Sequence, residues 1–443
     1  MSGSMQQFFE LVDQATASLS NGEVLLADFV GEESDFVRFN RSRVRQATSV
    51  TQAHATLTLI DGRRRDVLTI SLTGVPATDR AVMASAVAEL RAELPSLPED
   101  PYLLYSTEPS QSERIERGRL PAGEEALDVV LSAADGADLV GIYASGPMQR
   151  GFASSLGHRH WHEVDSFHFD WSFFHAADKA VKSSYATARW DADELSQRIR
   201  AAREQLTHIA RPARTIAPGR YRTYLAPAAL DELVWMLNWS GVSAKAQRTK
   251  TSCLQKLADG EALLSPRFTL RENTALGLAP AFDAAGFTKP PAIDIVAAGR
   301  HAGCMVSPRT AQEYGIPANG ADEEESLQSV DVAAGELATD AVLTELGTGI
   351  YVGNLWYLNF SDRAQGRITG MTRFATFWVQ DGAIVAPLNV MRFDDSVYRM
   401  LGTHLVDCTR ERDWILNSST YGQRSVETSR MPGALLSELT YTL

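Results

Sequence analysis

A chain of 443 residues exceeds what one hydrophobic core organises and implies two or three domains. Its 44% hydrophobic and 22% charged residues are ordinary for a globular protein, and no apolar run approaches the roughly 18 residues of a membrane span. A formal net charge of −13 argues against nucleic acid as a partner, because phosphate binding wants a basic face.

Residues 5–19 place Phe8, Phe9, Val12, Ala15 and Leu19 at helical spacing. The opening MSGSMQQFFELVDQA lacks the basic and apolar regions of a secretory signal. Alternation then predicts strands over 24–30, 36–39, 44–50 and 55–60, with Asp61-Gly62 turning the last into a strand over 66–72. Asp79 is the expected cap of a helix carrying Val82, Ala86, Leu90 and Leu94. The Pro- and Ser-rich stretch 95–121 reads as a linker or domain edge.

A helix is expected over 124–134, followed by strands over 137–144, 150–156, 161–174 and 180–188. Asp191 caps a helix with Leu195, Ile199, Ala202, Leu206 and Ile209 on one stripe. A strand over 221–225 leads to a helix with Pro227 in its first turn and Leu230, Leu233, Val234 and Leu237 on its apolar face. Beyond residue 292 strands dominate, with one helix over 339–346 and a tight two-residue hairpin turn at Asp381-Gly382. Glu323-Glu324-Glu325 reads as a solvated loop. The fold class is α+β: an N-terminal sheet-and-helix region of mainly antiparallel strands and a strand-rich C-terminal domain. The expected divisions are 1–110, 111–215 and 216–443. Cys253, Cys304 and Cys408 are scattered, with no CxxC, which fits a reducing cytoplasm.

Five histidines cluster at His158, His160, His162, His168 and His175, with Glu163, Asp165 and Asp170 among them. His162-Glu163 begins like a zinc-protease motif, but His168 follows at the wrong spacing and the segment reads as strand. On a strand, His158, His160, His162 and His168 would share one face, with Phe167, Phe169, Trp171 and Phe173 on the other. A His-x-His metal chelate is one reading. The plainer one is a polar, half-exposed sheet face backed by an aromatic core face. Gly347-Thr348-Gly349 with Gly353 is not a dinucleotide fingerprint, and Ser240-Gly241 and Ser418-Ser419 lie in no nucleophile elbow. Asp394-Asp395 beside Arg392 and Arg399 reads as a cap with ion pairs.

The stretch GIYVGNLWYLNFSDRAQGRITGMTRFATFWVQDGAIVAPLNVMRF resembles the C-terminal signature of the TldD/PmbA family (PmbA is also called TldE). Its Asn-Leu-Trp-Tyr, Arg-x-Thr-Gly-Met-Thr-Arg and Ala-Pro-Leu-Asn-Val-x-Arg-Phe elements carry the likeness over about fifty residues. Gly219-Arg220-Tyr221 and the closing segment from Pro432 to Leu443 extend it more weakly. In TldD-type subunits the helix corresponding to the one after Pro227 carries HExxxH, with two zinc-binding histidines and a glutamate as general base. Here the stretch from Asp231 to Ser240 contains no histidine, and the ligand positions fall near Trp235 and Ser240. The indoles of Trp235 and Trp239 are expected to fill the space a zinc and its water would need.

The departure resembles the TldE/PmbA branch. What the resemblance implies is a non-catalytic subunit of a TldD/TldE-type zinc metallopeptidase complex. It would have no catalytic residue or metal of its own, and zinc is expected in a TldD-like HExxxH partner. The expected location is cytoplasmic and the expected substrate an unfolded peptide. The alternatives are a divergent metallopeptidase acting through the histidine cluster and a homodimeric peptide-binding protein without hydrolase activity.

Overall fold

Period-two alternation builds two sheets, and one face of the first becomes the floor on which the second module rests. The computed structural model describes residues 2–121, 123–176 and 179–443. Strands β1 (Glu23–Asn40), β2 (Arg43–Asp61), β3 (Arg64–Leu72), β4 (Gln111–Glu116), β5 (Asp138–Ser154), β6 (Arg159–Ala176) and β7 (Lys179–Thr187) form a seven-stranded sheet in the order β3-β2-β1-β5-β6-β4, with β7 also on β6. Because β1 pairs antiparallel with β5, from Leu26↔Ser154 to Phe39↔Gly141, one sheet takes strands from both sides of residue 110. The stretch expected to be a linker contributes β4, which adds parallel to the edge of β6.

Several expected strands merge. Residues 24–30 and 36–39 belong to β1 without a break, because the polar insert keeps its ladder and its acid finds donors. Glu32 accepts from Ser34, from Gln52 at 2.5 Å and from the Arg424 backbone N–H. Asp79 is no N-cap: the helix starts earlier, at Pro76, and the buried Asp79 carboxylate reaches back to the backbone N–H groups of Thr73 and Gly74.

Helices α1 (Ser2–Thr16) and α2 (Pro76–Glu93) cover one end of the first face, packing Phe8, Val12, Met83 and Val87 on Leu25, Phe29, Leu57 and Trp161. Helices α3 (Gly123–Ala133) and α4 (Ala192–Ile209) cover its other end, over Phe167, Phe169, Trp171 and Phe173. Asp191 caps α4 by accepting from the N–H groups of Asp193 and Glu194.

The second module opens with β8 (Gly219–Leu225) and α5 (Pro227–Asn238). Its further strands are β9 (Leu270–Glu272), β10 (Ile293–Ala297), β11 (Arg300–His301), β12 (Ser329–Val332), β13 (Gly349–Asp362), β14 (Arg367–Gln380), β15 (Ala383–Pro387), β16 (Arg392–Ser396), β17 (Leu405–Leu416) and β18 (Thr428–Tyr441). Pairing of β8 with both β13 and β18 closes β8, β13, β14, β16 and β18 into a ring, which removes exposed edges. Leu230, Leu233, Val234 and Leu237 of α5 pack into its core against Ile350, Val352, Met431 and Leu436. Beyond residue 292 a further helix, Pro308–Tyr314, joins the one expected near 339–346.

Glu325 is not solvated with its neighbours. It is 1% exposed and accepts from the hydroxyls of Ser243 and Ser307 and from the N–H groups of Lys245 and Ser307, tying two helix starts together. Asp395 is likewise structural, accepting from Arg399 and from the backbone and hydroxyl of Thr440.

At the β14–β15 turn Asp381 has φ 50° and Gly382 φ 77°, the double left-handed geometry of a type I′ turn. A valine at Gly382 would pay for positive φ while its Cβ meets Thr344 Cα at 3.4 Å. Gly382→Val is therefore expected to cost about 1 kcal/mol or more and to lower the melting temperature. An unchanged melting curve would contradict this turn geometry.

Candidate functional site at the seam between the modules

Strand alternation sends the aromatic side chains of β6 into the helix-covered core and its histidines to the opposite face. That face is not half-exposed as alternation alone suggested. His158, His160, His162 and His168 are all buried, and loops of the second module lie on His160 and His162. The Phe282 ring stacks on His160 at 5.2 Å, and His162 Nε2 bonds the Leu278 carbonyl at 2.8 Å. His158 is held by the hydroxyls of Ser154 (2.7 Å) and Ser106 (3.1 Å). His160 is held by Ser110 (2.9 Å) and Ser112 (2.7 Å). Both ring nitrogens of each are thereby engaged, which takes the lone pairs a metal would use.

Burial pushes His160 and His162 down to about 4 and His168 to about 3, so all three are neutral near pH 7. The acids interleaved with the histidines do not join them. Glu163 and Asp165 face the other side of β6, where Arg117 reaches them at 2.5 and 3.6 Å. His175 is exposed at the strand end, and Asp170 pairs with Lys182 at 3.2 Å. Among the described residues no group of three or more His, Cys, Asp or Glu side chains is arranged to hold a metal.

Further along the same sheet face, β6 and β7 meet α5 and β18 across a cleft of about 270 Å³. The apolar stripe of α5 faces the ring core, so its opposite stripe, Ala228, Asp231, Glu232 and Trp235 at i, i+3, i+4 and i+7, faces this cleft. His168 and Asp170 stand across from it. The Trp235 indole N–H donates to Ser429 Oγ at 3.1 Å. Burial raises the Asp231 carboxyl to about 7 against the opposing hydrogen bonds of Ser429 and Trp235, and it raises Glu232 as well. Three buried polar atoms on this cleft have no protein partner: Asp231 Oδ1, His168 Nε2 and Asn354 Oδ1. The cleft leaves these atoms open to a partner from outside the chain, water included.

Of the two positions carried over as degenerate zinc ligands, the structure brings only Trp235 to the cleft. Helix α5 ends at Asn238, Trp239 is 56% exposed, and Ser240 sits at φ 68° in the following turn. Gly241 sets this reversal, since a Cβ there would lie 2.4 Å from the Leu237 carbonyl oxygen. The expectation for Trp239 is thus corrected: its indole points to solvent, and of the two only Trp235 lines the cleft. The residues on α5 do not fit zinc. They offer no imidazole, and the one nitrogen of Trp235 is an N–H donor already engaged.

Trp235 is half-buried against the ring core, so Trp235→Ala is expected to cost about 2 kcal/mol, below the 3–5 kcal/mol of a fully buried indole. Denaturant unfolding measures it, and a loss under about 1 kcal/mol would mean a solvated side chain. Sequence reading passed over Asp231, Glu232, Asn354 and Ser429. The signal available for the first two was the polar stripe opposite the leucines of α5.

Fold and site together define a two-module α+β protein whose C-terminal ring of strands holds one helix against the N-terminal sheet. Residues 218–442 match the sequence profile described as the PmbA/TldA metallopeptidase C-terminal domain, and the chain belongs to that family. No curated protein matches it by sequence. Among solved structures it is similar to TldE from Thermococcus kodakarensis, with TM-score 0.78, 13% identity and 99% and 100% of the two chains covered. A Thermotoga maritima protein described as a candidate modulator of a DNA gyrase matches with TM-score 0.77, 14% identity and coverage of 98% and 100%. A protein of the same description from Bacteroides thetaiotaomicron matches with TM-score 0.74, 14% identity and coverage of 99% and 98%. At these identities the likeness is one of fold.

Proposed function

We propose that this chain is a TldE/PmbA-like, non-catalytic subunit of a TldD/TldE-type zinc metallopeptidase assembly that degrades unfolded peptides. The observation that carries this reading is the cleft stripe of α5. Where the family resemblance places the first zinc ligand, Trp235 spends its only N–H on Ser429, and the second position lies outside the helix. In this reading the chain walls the chamber, and the unpaired polar atoms around Asp231 hold the passing peptide. The catalytic zinc belongs to an HExxxH-bearing partner. Three free cysteines, two of them buried, suit a cytoplasmic setting, and no helix among the described residues is long and apolar enough to cross a membrane.

A divergent peptidase built on the histidine cluster is disfavoured by the serine and carbonyl partners of His158, His160 and His162. The test is hydrolysis of an unfolded protein by the purified chain, alone and mixed with an HExxxH-bearing relative from the same genome. Chelator-sensitive cleavage is expected from the mixture only. Cleavage by the chain alone would overturn the proposal.

A further inference from the structure

The sheet face that carries the histidines holds a second recess, toward the β3 edge. Here β1, β2, β3 and β5 face the second-module loops around Phe282 and Gln328 across a cavity of about 530 Å³, within the roughly 300–1,000 Å³ range of small-molecule sites. Its floor is apolar: Leu26, Ile60 and Phe282 form one buried cluster there.

Charged groups line this cavity at its rim and inside it, and their pairing is incomplete. On the rim the charges are matched, Arg309 with Asp100 at 2.6 Å and Arg65 with Glu323 at 3.3 Å. Inside they are not. Asp28 makes no side-chain hydrogen bond or ion pair among the described residues, and Arg150 donates only to the Gln149 carbonyl at 2.8 Å. Asp283 uses Oδ1 to hold the N–H groups of Ala285 and Phe287, both at 2.9 Å, while Oδ2 is buried with no partner. Lys289 is 7% exposed and donates to Gln328 Oε1 at 2.7 Å, with no carboxylate in ion-pair range among the described residues. Asp28 lies opposite Phe152 and Val30 opposite Arg150, so Asp28 and Arg150 are diagonal neighbours on one face, roughly 7–8 Å apart. The two form no ion pair with each other, although they share that face.

Lys289 is buried, while Asp28, Arg150 and Asp283 are part-exposed to the cavity, and poorly hydrated charges are retained when something compensates them. Desolvation along the cavity wall lifts the Asp28 carboxyl to about 7 against the pull of Arg150, and Asp283 to about 6 against that of Lys289. A lone inorganic anion would serve Arg150 and Lys289 but repel Asp28 and Asp283. A lone cation would do the reverse. A ligand carrying both signs and an apolar body satisfies all four groups and the floor.

We propose that this cavity binds a small zwitterion of the amino-acid or dipeptide class with an apolar side chain. Its ammonium lies toward Asp28 and Asp283, its carboxylate toward Arg150 and Lys289, and its side chain against Leu26, Ile60 and Phe282. The site is separate from the α5 cleft and stands whether or not the subunit reading above holds.

Calorimetric titration of the full chain with leucyl-leucine tests it, alongside leucine, the Nα-acetylated dipeptide and the C-terminal amide. Saturable binding of the free dipeptide or of leucine is expected, weakened at least tenfold by blocking either terminus. Asp28→Asn and Arg150→Gln are each expected to weaken it at least tenfold. Thr58→Trp, which puts an indole into the cavity from β2, should abolish binding while the melting transition stays cooperative, and it decides the matter should either charge variant fail to fold. No saturable binding at millimolar dipeptide would overturn the proposal. So would binding indifferent to blocked termini, or binding unchanged in Thr58→Trp, which would place the ligand elsewhere.

Discussion

Replacing Arg424 by alanine is expected to destabilise the protein by about 3–5 kcal/mol, because it removes three charge-assisted hydrogen bonds from a buried guanidinium. Arg424 is 2% exposed and stands in the segment between β17 and β18, yet its guanidinium reaches the N-terminal sheet. One arm donates to the Gly146 carbonyl at 3.0 Å, the other to the Ser166 carbonyl at 3.0 Å and its hydroxyl at 2.7 Å. Glu32, 3% exposed, supplies the counter-charge, while burial holds the guanidinium down at about 10. Without the arginine, Glu32 keeps its buried charge with only neutral donors, and two carbonyls lose their partners. Lysine cannot restore the fork, so Arg424→Lys should recover only part of the loss. Guanidinium-chloride unfolding measures both variants, and a loss under about 1 kcal/mol for Arg424→Ala would show that the segment is not pinned in this way.

Phe282→Ala should cost about 3–5 kcal/mol and should also loosen one module from the other. The ring is 4% exposed, stacked on His160 and packed with Leu26, Ile60 and Phe152 of the N-terminal sheet, although Phe282 itself belongs to the second module. It therefore closes the seam between the buried histidines and the larger cavity. Wild type is expected to melt as one unit in calorimetry, and the variant to show two resolved transitions. A single transition at the wild-type temperature would contradict this role.

Local chemistry was legible where it decides locally. Asp381-Gly382 announced its turn because few residues tolerate two successive positive φ values, and Asp191 and Pro227 announced helix starts through their own hydrogen-bonding limits. The odd-even split of β6 was legible too. What covers the even face was not, since periodicity names a face without naming its neighbour. Leu278 and Phe282 lie over a hundred residues downstream of the histidines they bury. Glu325 was misread for the same reason: a run of three acids looks solvated until Ser243 and Ser307 come to one of them. Gly241 was legible as the stop of α5, but not that the helix ends earlier, at Asn238. A leucine-rich pattern continues toward Trp239, but Gly241 turns the chain and takes Ser240 away from the cleft. Asp28 and Arg150 carried no motif at all, because only the pairing of β1 with β5 brings them together.

The most direct test of a chain without its own catalytic metal is its zinc content by elemental analysis, after expression with added zinc and mild purification. With Trp235 at the cleft and the seam histidines bonded to serines and a carbonyl, zinc well below one equivalent per chain is expected. Close to one zinc per chain, retained through dialysis, would contradict it.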